Sequence, residues 1–192
     1  NQSTPSYIPL LVGIKQIGNG FPGDQILSGM TRLPSQMAIG ASWDTDLAEE
    51  VGTVLGDELN RLGFNLYLGP NLDVLETANS EAATSLGVNT YGGDPFWVGE
   101  MGKAFISGVH NGSNNRIFVV AQNFPGTGNS DRSPELEVAT VRKSLEQLKQ
   151  IELAPYFTVT TPDVGDPGRV DAVMVSHIRY QGFQGNIRAT TR

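Results

Sequence analysis

The polar loop at residues 128–135 carries two carboxyl groups, Asp131 and Glu135, with Arg132 between them. Acid–base hydrolysis of a glycosidic bond uses a pair of carboxyl groups, so both residues are candidates for an acid/base role. A purely structural interpretation is also open. In it Asp131 and Arg132 form a local ion pair, and Glu135 lies in the first turn of a helix, where negative charge is favoured.

The elements around this loop predict where its side chains lie. An apolar run at residues 116–121 predicts a buried strand that ends just before the loop. After the loop we expect a helix that begins at Pro134 and places Val138, Val141, Leu145 and Leu148 on one stripe. In parallel α/β proteins, functional residues collect outside the carboxyl ends of the strands, which is the position of this loop.

Other chemistries find less support in the chain. Residues 18–23 spell G-x-G-x-x-G, but Pro22 and Gly29 disfavour the helix that a dinucleotide site needs there, so we expect a plain glycine-rich loop. His110 lies near a predicted helix C-terminus, where contact with carbonyl groups is more common than metal binding. His177 follows a predicted strand, and a lone histidine there more often has a structural hydrogen-bonding role. No G-x-S-x-G elbow occurs.

Composition limits the classes of partner. The 192 residues carry a formal net charge of −7, which argues against a nucleic-acid partner. No apolar run is long enough to span a membrane, and the absence of cysteine removes disulfides and thiolate ligands. We expect no cofactor and no metal, and the compartment is left undecided.

The chain alternates apolar runs with helical stripes. Residues 10–14, 64–68, 116–121 and 172–176 predict buried strands. A helix over residues 45–62 is capped by Asp44 or Thr45 and stopped by Gly63, and its expected inward residues are Leu47, Val51, Val54, Leu55, Leu59 and Leu62. A further helix begins at Asp94-Pro95 and ends at Gly112, with Met101, Phe105, Ile106 and Val109 inward. Residues 160–169 are expected to form a loop.

This order predicts parallel βαβ units. Four strands with three crossover helices make half of a (β/α)8 TIM barrel, which usually needs about 250 residues. We therefore expect one incomplete barrel domain, with about strands two to five, cut from a longer protein. The alternative is a doubly wound sheet belonging to an unrelated binding protein. The open edges of a half barrel favour self-association.

Seven segments, in order, resemble the N-terminal barrel of family 3 glycoside hydrolases, the β-N-acetylhexosaminidase branch in particular. The segments are residues 9–14, 33–35, 59–74, 86–95, 119–128, 151–156 and 173–180. The segment at 119–128, VVAQNFPGTG, is similar to the family signature KHFPGHG. The resemblance implies hydrolysis of O-glycosyl bonds, a carbohydrate ligand, and a catalytic aspartate on a sixth strand outside these residues.

The family's sugar-binding positions carry other residues in this chain. The resemblance implies that Lys15 stands where the family has an aspartate and Asn89 where it has an arginine. Gln122 and Asn123 replace its Lys-His pair, Thr127 replaces the histidine of P-G-H-G, and His177 remains. These six are our predicted substrate-binding residues. The family's acid/base histidine has no counterpart, and Glu135 lies nearest to its place.

Two functional interpretations follow from these replacements. In the first, the protein is a glycosidase whose acid is Asp131 or Glu135. In the second, it is a catalytically inactive relative that binds carbohydrate or serves as a scaffold. Neutral amides keep hydrogen-bonding capacity but remove charge-assisted hydrogen bonds, and Lys15 makes an acidic ligand conceivable.

Overall fold

The computed structural model describes residues 10–18, 20–21, 23–77, 86–128, 130–131 and 138–181. Its main feature is a four-stranded parallel sheet in the spatial order β1-β2-β3-β5. These strands are β1 (Gly13–Ile14), β2 (Leu66–Asn71), β3 (Phe118–Phe124) and β5 (Ala172–Val175). A separate parallel pair consists of β4 (Thr140–Ser144) and β6 (Arg179–Tyr180).

The described residues also form helices between these strands. They are α1 (Gln36–Gly40), α2 (Thr45–Arg61), α3 (Pro95–Ser113), α4 (Leu145–Gln150) and α5 (Ala154–Thr160). The largest cluster of buried apolar side chains joins the sheet to α2 and α3, and it includes Leu55, Tyr67, Met101, Ile106 and Val119. The prediction of parallel βαβ units is confirmed.

Helices α2 and α3 begin where the sequence predicts. Asp44 and Asp94 are the N-caps, and each carboxylate accepts hydrogen bonds from two backbone N–H groups of the first turn. The predicted end of α3 at Gly112 is wrong, because the helix continues to Ser113 and ends at Asn114, which adopts a left-handed conformation with φ of 54°.

The predicted inward stripe of α2 is correct for three residues and wrong for three. Val51, Leu55 and Leu59 are buried, whereas Leu47, Val54 and Leu62 are exposed. The buried face instead includes Ala48, Gly52 and Gly56. The helix is therefore rotated so that its smallest residues, rather than all its large ones, face the neighbouring helix.

Glycines bring the backbones of α2 and α3 into direct contact. A Cβ atom added to Gly52 would lie 2.2 Å from the carbonyl oxygen of Phe105. One added to Gly108 would lie 2.1 Å from the carbonyl oxygen of Glu49. Gly56 and Gly112 lie equally close to the opposite backbone. Gly112 thus serves helix packing and not helix termination.

The single helix predicted from Pro134 through Leu148 is wrong. Residues 132–137, including Pro134, lie outside the described part of the chain, and Thr140–Ser144 form strand β4. Burial alternates along β4, with Val141 and Lys143 inward, which is the period of a strand. Helix α4 begins only at Leu145, because Ser144 and Gln147 form a capping box. Helix α5 and strand β6 are absent from the sequence prediction.

The predicted strand at residues 10–14 is shorter than expected. Only Gly13 and Ile14 pair with β2, while Leu10 and Leu11 are largely exposed. Among the described residues β1 has a strand neighbour on one side only, so it lies at an edge of the sheet. The other three predicted strands are confirmed, with boundaries displaced by as many as three residues.

Candidate functional site

The parallel sheet brings the ends of its strands to one edge, and a cavity lies there. Its volume is about 450 Å³, within the usual range of small-molecule sites. The lining residues come from the last residues of β2, β3 and β5 and from the segments that follow β1, β2, β3 and β5. They are Lys15, Ile17, Asn71, Leu86, Asn89, Gln122, Asn123, Thr127, Met174, Val175, Ser176 and His177.

All six predicted substrate-binding residues belong to this lining. Lys15, Asn89, Gln122, Asn123, Thr127 and His177 are far apart in the chain and meet around the same cavity. Their role in binding a substrate stays a prediction, but their convergence is a property of the fold. Asn71 and Ser176 also line the cavity, and sequence reasoning missed them. Both follow the apolar part of a strand, which is the signal that was available.

The backbone at the end of β3 turns two adjacent side chains toward the cavity. Neighbouring residues of a regular strand point to opposite faces, yet Gln122 and Asn123 both line the cavity. Asn123 has a φ of 71°, and the pairing register of β3 shifts on both sides of it. This left-handed residue breaks the alternation of the strand, and asparagine is one of the few residue types that tolerate the conformation.

The amide groups of both residues are partly committed to the protein. Nε2 of Gln122 donates to the carbonyl oxygen of Leu68 at 2.9 Å, and Nδ2 of Asn123 donates to Oδ2 of Asp73 at 2.7 Å. Each nitrogen carries a second N–H group that these bonds do not use, and neither bond uses the amide oxygen. Both residues therefore keep donor and acceptor capacity for a polar ligand.

Asp73 supports the loop that follows β3 from beneath. Its side chain is fully buried and accepts hydrogen bonds from the backbone N–H of Thr127 at 2.5 Å and from the Thr127 hydroxyl at 2.8 Å. Burial raises the pKa of Asp73, and the hydrogen bonds from Thr127 and Asn123 act in the opposite direction. The carboxylate thereby fixes two of the cavity-lining residues.

A second buried group, which the sequence analysis did not predict, also supports this loop. Nζ of Lys143 lies 2.6 Å from Oε1 of Glu152 and also pairs with Glu76. Glu152 is fully buried and packs against Gly126. A Cβ atom added to Gly126 would lie 2.7 Å from the Cβ atom of Glu152. Burial raises the pKa of Glu152, although the hydrogen bond from Lys143 opposes this. No local pattern marks these residues, because they come together only through the fold.

Two tyrosines hold the same loop through its backbone. The Tyr156 hydroxyl donates to the carbonyl oxygen of Gln122 at 2.5 Å, and the Tyr180 hydroxyl donates to the carbonyl oxygen of Gly126. Both rings are buried. The loop from Gln122 to Thr127 is therefore fixed on its protein side, and its other side faces the cavity.

Asp131, one of the two candidate acid/base residues, is not among the lining residues that the structure describes. Oδ1 of Asp131 accepts from the backbone N–H of Thr140 at 2.9 Å, and Oδ2 pairs with Arg142 at 3.4 Å. These contacts attach the loop to β4. Glu135 and Arg132 lie outside the described residues. The acid/base role of Asp131 and Glu135 stays a prediction.

The glycine-rich segment forms a closed loop and not a helix N-terminus. The Asp24 carboxylate accepts hydrogen bonds from the backbone N–H groups of Ile17, Gly18 and Gly20. The next helix, α1, begins only at Gln36, so the expectation of a plain loop is confirmed. A second cavity of about 450 Å³ lies beside this loop and is lined in part by Gln16, Asp24 and Arg32.

His110 is a structural histidine of the outer layer. Its Nε2 lies 2.9 Å from Oδ2 of Asp171, and its Nδ1 lies 2.7 Å from the carbonyl oxygen of Pro167. Burial lowers the pKa of His110, but the hydrogen bonds to Asp171 and Pro167 outweigh this and raise it. The expected carbonyl contact is present, although the carbonyl belongs to a loop and not to the helix end.

Two kinds of site are absent from the described ranges of the chain. No group of three or more His, Cys, Asp or Glu side chains in these ranges is placed to hold a metal ion. No helix within the same residues is both long and apolar enough to cross a bilayer.

Comparison with known proteins yields a consistent set of relatives. The family model "Glycosyl hydrolase family 3 N terminal domain" matches residues 1–192. A β-hexosaminidase of Pseudomonas aeruginosa strain LESB58 is 26% identical over 172 residues, which are 89% of this chain and 47% of that protein. This chain spans about half the length of the curated relatives it matches.

Two solved structures are similar in fold. One is a glycoside hydrolase family 3 β-N-acetylglucosaminidase from Paenibacillus sp. str. FPU-7, with a TM-score of 0.78 and 30% identity over 91% of this chain and 31% of that one. The other is a fungal multi-domain β-N-acetylglucosaminidase of the same family, with a TM-score of 0.84 and 29% identity over 94% of this chain and 20% of that one. These relatives confirm the predicted family resemblance and the partial barrel.

Proposed function

Because this chain belongs to glycosyl hydrolase family 3 through that family's N-terminal domain, we propose that the intact protein hydrolyses O-glycosyl bonds of the β-N-acetylglucosaminide or β-glucoside class. The observation that carries the proposal is the cavity at the strand ends, where six residues at family sugar-binding positions converge. The relatives' names, β-hexosaminidase and β-N-acetylglucosaminidase, support the same class of reaction.

On this proposal the described residues bind and orient the sugar. The amides of Gln122 and Asn123 exchange hydrogen bonds with sugar hydroxyls, and their bonds to Leu68 and Asp73 hold them in position. Asn89 and His177 line the same cavity and contact the same ligand. The loop's fixed backbone keeps these groups in place before the ligand arrives, which lowers the entropic cost of binding.

Retaining hydrolysis also needs a nucleophilic carboxylate, and no Asp or Glu lines the cavity within the residues that the structure describes. We propose that residues 1–192 are one incomplete barrel domain and that the nucleophile comes from another strand of the whole barrel. Asp131 and Glu135 are kept as candidates for the acid. The open edges at β1 and β5 favour self-association of this segment when it is isolated.

The proposal is tested by assaying the intact protein with aryl β-N-acetylglucosaminide and aryl β-glucoside. We expect release of the aryl alcohol above a heat-denatured control. The variant Asn123→Ala removes an amide from the cavity, and we expect kcat/KM to fall about tenfold or more, the value of one lost charge-assisted or buried hydrogen bond.

Asn114→Ala is the matched control. Asn114 and Asn123 both adopt left-handed backbone conformations, with φ of 54° and 71°, so alanine imposes a similar backbone cost at each. Only Asn123 lines the cavity. Equal loss of activity in the two variants would contradict a binding role for Asn123. No hydrolysis by the unaltered protein, with sugar binding retained, would instead identify the catalytically inactive relative.

A further inference from the structure

Lys15 places a positive charge in a cavity that is otherwise lined by neutral groups. It follows β1 directly and lines the cavity at the strand ends. Apart from His177, the rest of the described lining consists of amides, hydroxyls and apolar side chains. The whole chain has a formal net charge of −7, so this positive site is a local feature set against the overall charge.

The described residues provide no counter-charge for the Lys15 ammonium group. Within the described ranges no Asp or Glu lies in salt-bridge contact with Lys15, and its backbone N–H donates to Oε1 of Gln25 at 3.0 Å. Asp73 lies beneath the cavity and gives its oxygens to Thr127 and Asn123. A cation that is partly withdrawn from water interacts more strongly with an anion than it does in bulk solvent.

The rest of the lining suits a sugar ring. Asn71, Asn89 and Ser176 also line the cavity, and their side-chain types form hydrogen bonds with hydroxyl groups. Ile17, Leu86 and Met174 supply apolar contact. Neither a guanidinium group nor a helix N-terminus lies in the described lining, so two of the features that commonly bind phosphate are absent there.

We propose that the cavity selects a sugar that carries one carboxylate, a hexuronic acid residue, and that Lys15 binds this carboxylate. The proposal rests on the O-glycosyl hydrolase function proposed above and departs from it in the sugar, which is acidic and not a neutral β-glucoside. A single compact ammonium group matches a single negative charge, and the amides bind the hydroxyls of the ring. Lys15 is then the residue that determines specificity for charge.

The test compares two ligands that differ only at one carbon atom. Methyl β-glucuronide and methyl β-glucoside are titrated into the intact protein and followed by calorimetry. We expect the glucuronide to bind about tenfold more tightly at low salt, and the difference to shrink at high salt. Lys15→Met keeps the apolar stem but removes the charge, and it should abolish the preference.

Lys149→Met is the control variant. Lys149 lies on α4, is about half exposed and pairs with Glu146, so its loss should leave the preference unchanged. A preference that survives in Lys15→Met would overturn the proposal. Tighter binding of methyl β-glucoside 6-sulfate than of the glucuronide would overturn the assignment to a carboxylate.

Failure of this inference can be told apart from failure of the proposed function. If both methyl glycosides bind equally while aryl β-glucoside is hydrolysed, the specificity for charge is wrong and the glycosidase function stands. If neither glycoside binds and no aryl glycoside is hydrolysed, both proposals are wrong.

Discussion

Asp73 and Glu152 are both fully buried carboxylates beneath the loop that follows β3, but their surroundings differ. Asp73 accepts hydrogen bonds from the uncharged donors of Thr127 and Asn123. Glu152 faces the ammonium group of Lys143, which also pairs with Glu76. Among the described residues, Oε2 of Glu152 has no hydrogen-bond partner.

The difference shows two ways of fixing one loop. Neutral donors stabilise the Asp73 carboxylate without burying a second charge, and they belong to residues that line the cavity. The pair of Lys143 with Glu152 buries two charges, and each depends on the other because desolvation is costly for both. The first arrangement couples the carboxylate to the site, whereas the second mainly supports the backbone at Gly126.

The largest expected effect is that of removing the buried ammonium group. Lys143→Met should lower the free energy of unfolding of the intact protein by about 3–5 kcal/mol, because Glu152 loses its buried counter-charge. Urea denaturation measures the loss. Lys149, which forms an exposed ion pair with Glu146, provides the control. Lys149→Met should change the free energy of unfolding by no more than about 0.5 kcal/mol.

A double variant decides whether charge is the cause. Lys143→Met with Glu152→Gln removes both charges and should recover most of the lost stability. If the double variant is as unstable as the single one, packing of the lysine stem against its neighbours, and not the ion pair, explains the loss.

A smaller effect is expected at the other carboxylate. Asp73→Asn keeps the shape of the side chain but turns an NH2 group toward the donors of Thr127 or Asn123, which should cost about 2 kcal/mol. Asp57→Asn is the control, because Asp57 lies on the exposed face of α2 and pairs with Arg61. If Asp73→Asn lowers the free energy of unfolding as much as Lys143→Met does, a carboxylate held by neutral donors is as costly to disrupt as the buried ion pair, and the comparison is wrong. Calorimetric titration should also show weaker ligand binding in Asp73→Asn alone.

The smallest expected effect concerns pH. The pKa values of Asp73 and Glu152 are both raised by burial, so the folded state holds these protons more tightly than the unfolded state does. Each group therefore contributes stability that is present below its ordinary pKa, about 4 for these carboxyls, and is lost as the pH rises through the raised folded value.

Variants without these carboxyl groups provide the measurement. The advantage in unfolding free energy of the unaltered protein over Glu152→Gln should grow as the pH falls from neutral toward about 4. The same comparison with Asp73→Asn should have the same sign. An advantage that shrinks on acidification would mean that Lys143 holds the pKa of Glu152 below its ordinary value.

Local signals in the sequence account for the well-predicted parts of the fold. Asp44 and the Asp94-Pro95 pair define the starts of α2 and α3 because capping depends on residues a few positions apart. The inward residues Met101, Phe105, Ile106 and Val109 of α3 are all buried as predicted. The cavity lining was predictable to the extent that polar residues follow buried parallel strands.

Features that depend on distant partners were not predictable in this way. Val141, Leu145 and Leu148 are spaced like a helical stripe, and the strand at Val141 forms because it pairs with β6 and buries Lys143 against Glu152. The exposure of Leu47 likewise follows from glycine contacts between two helices. The left-handed backbone of Asn123 is set by its surroundings, and the residue type alone only permits it.

The backbone contact between α2 and α3 has a consequence for how this protein diverges in evolution. Where glycines place two helices against each other with no side chains between them, no intermediate packing is available, and almost any substitution there forces the helices apart. Lys15 and the other residues that line the cavity lie outside this contact, so they can be exchanged without moving the two helices.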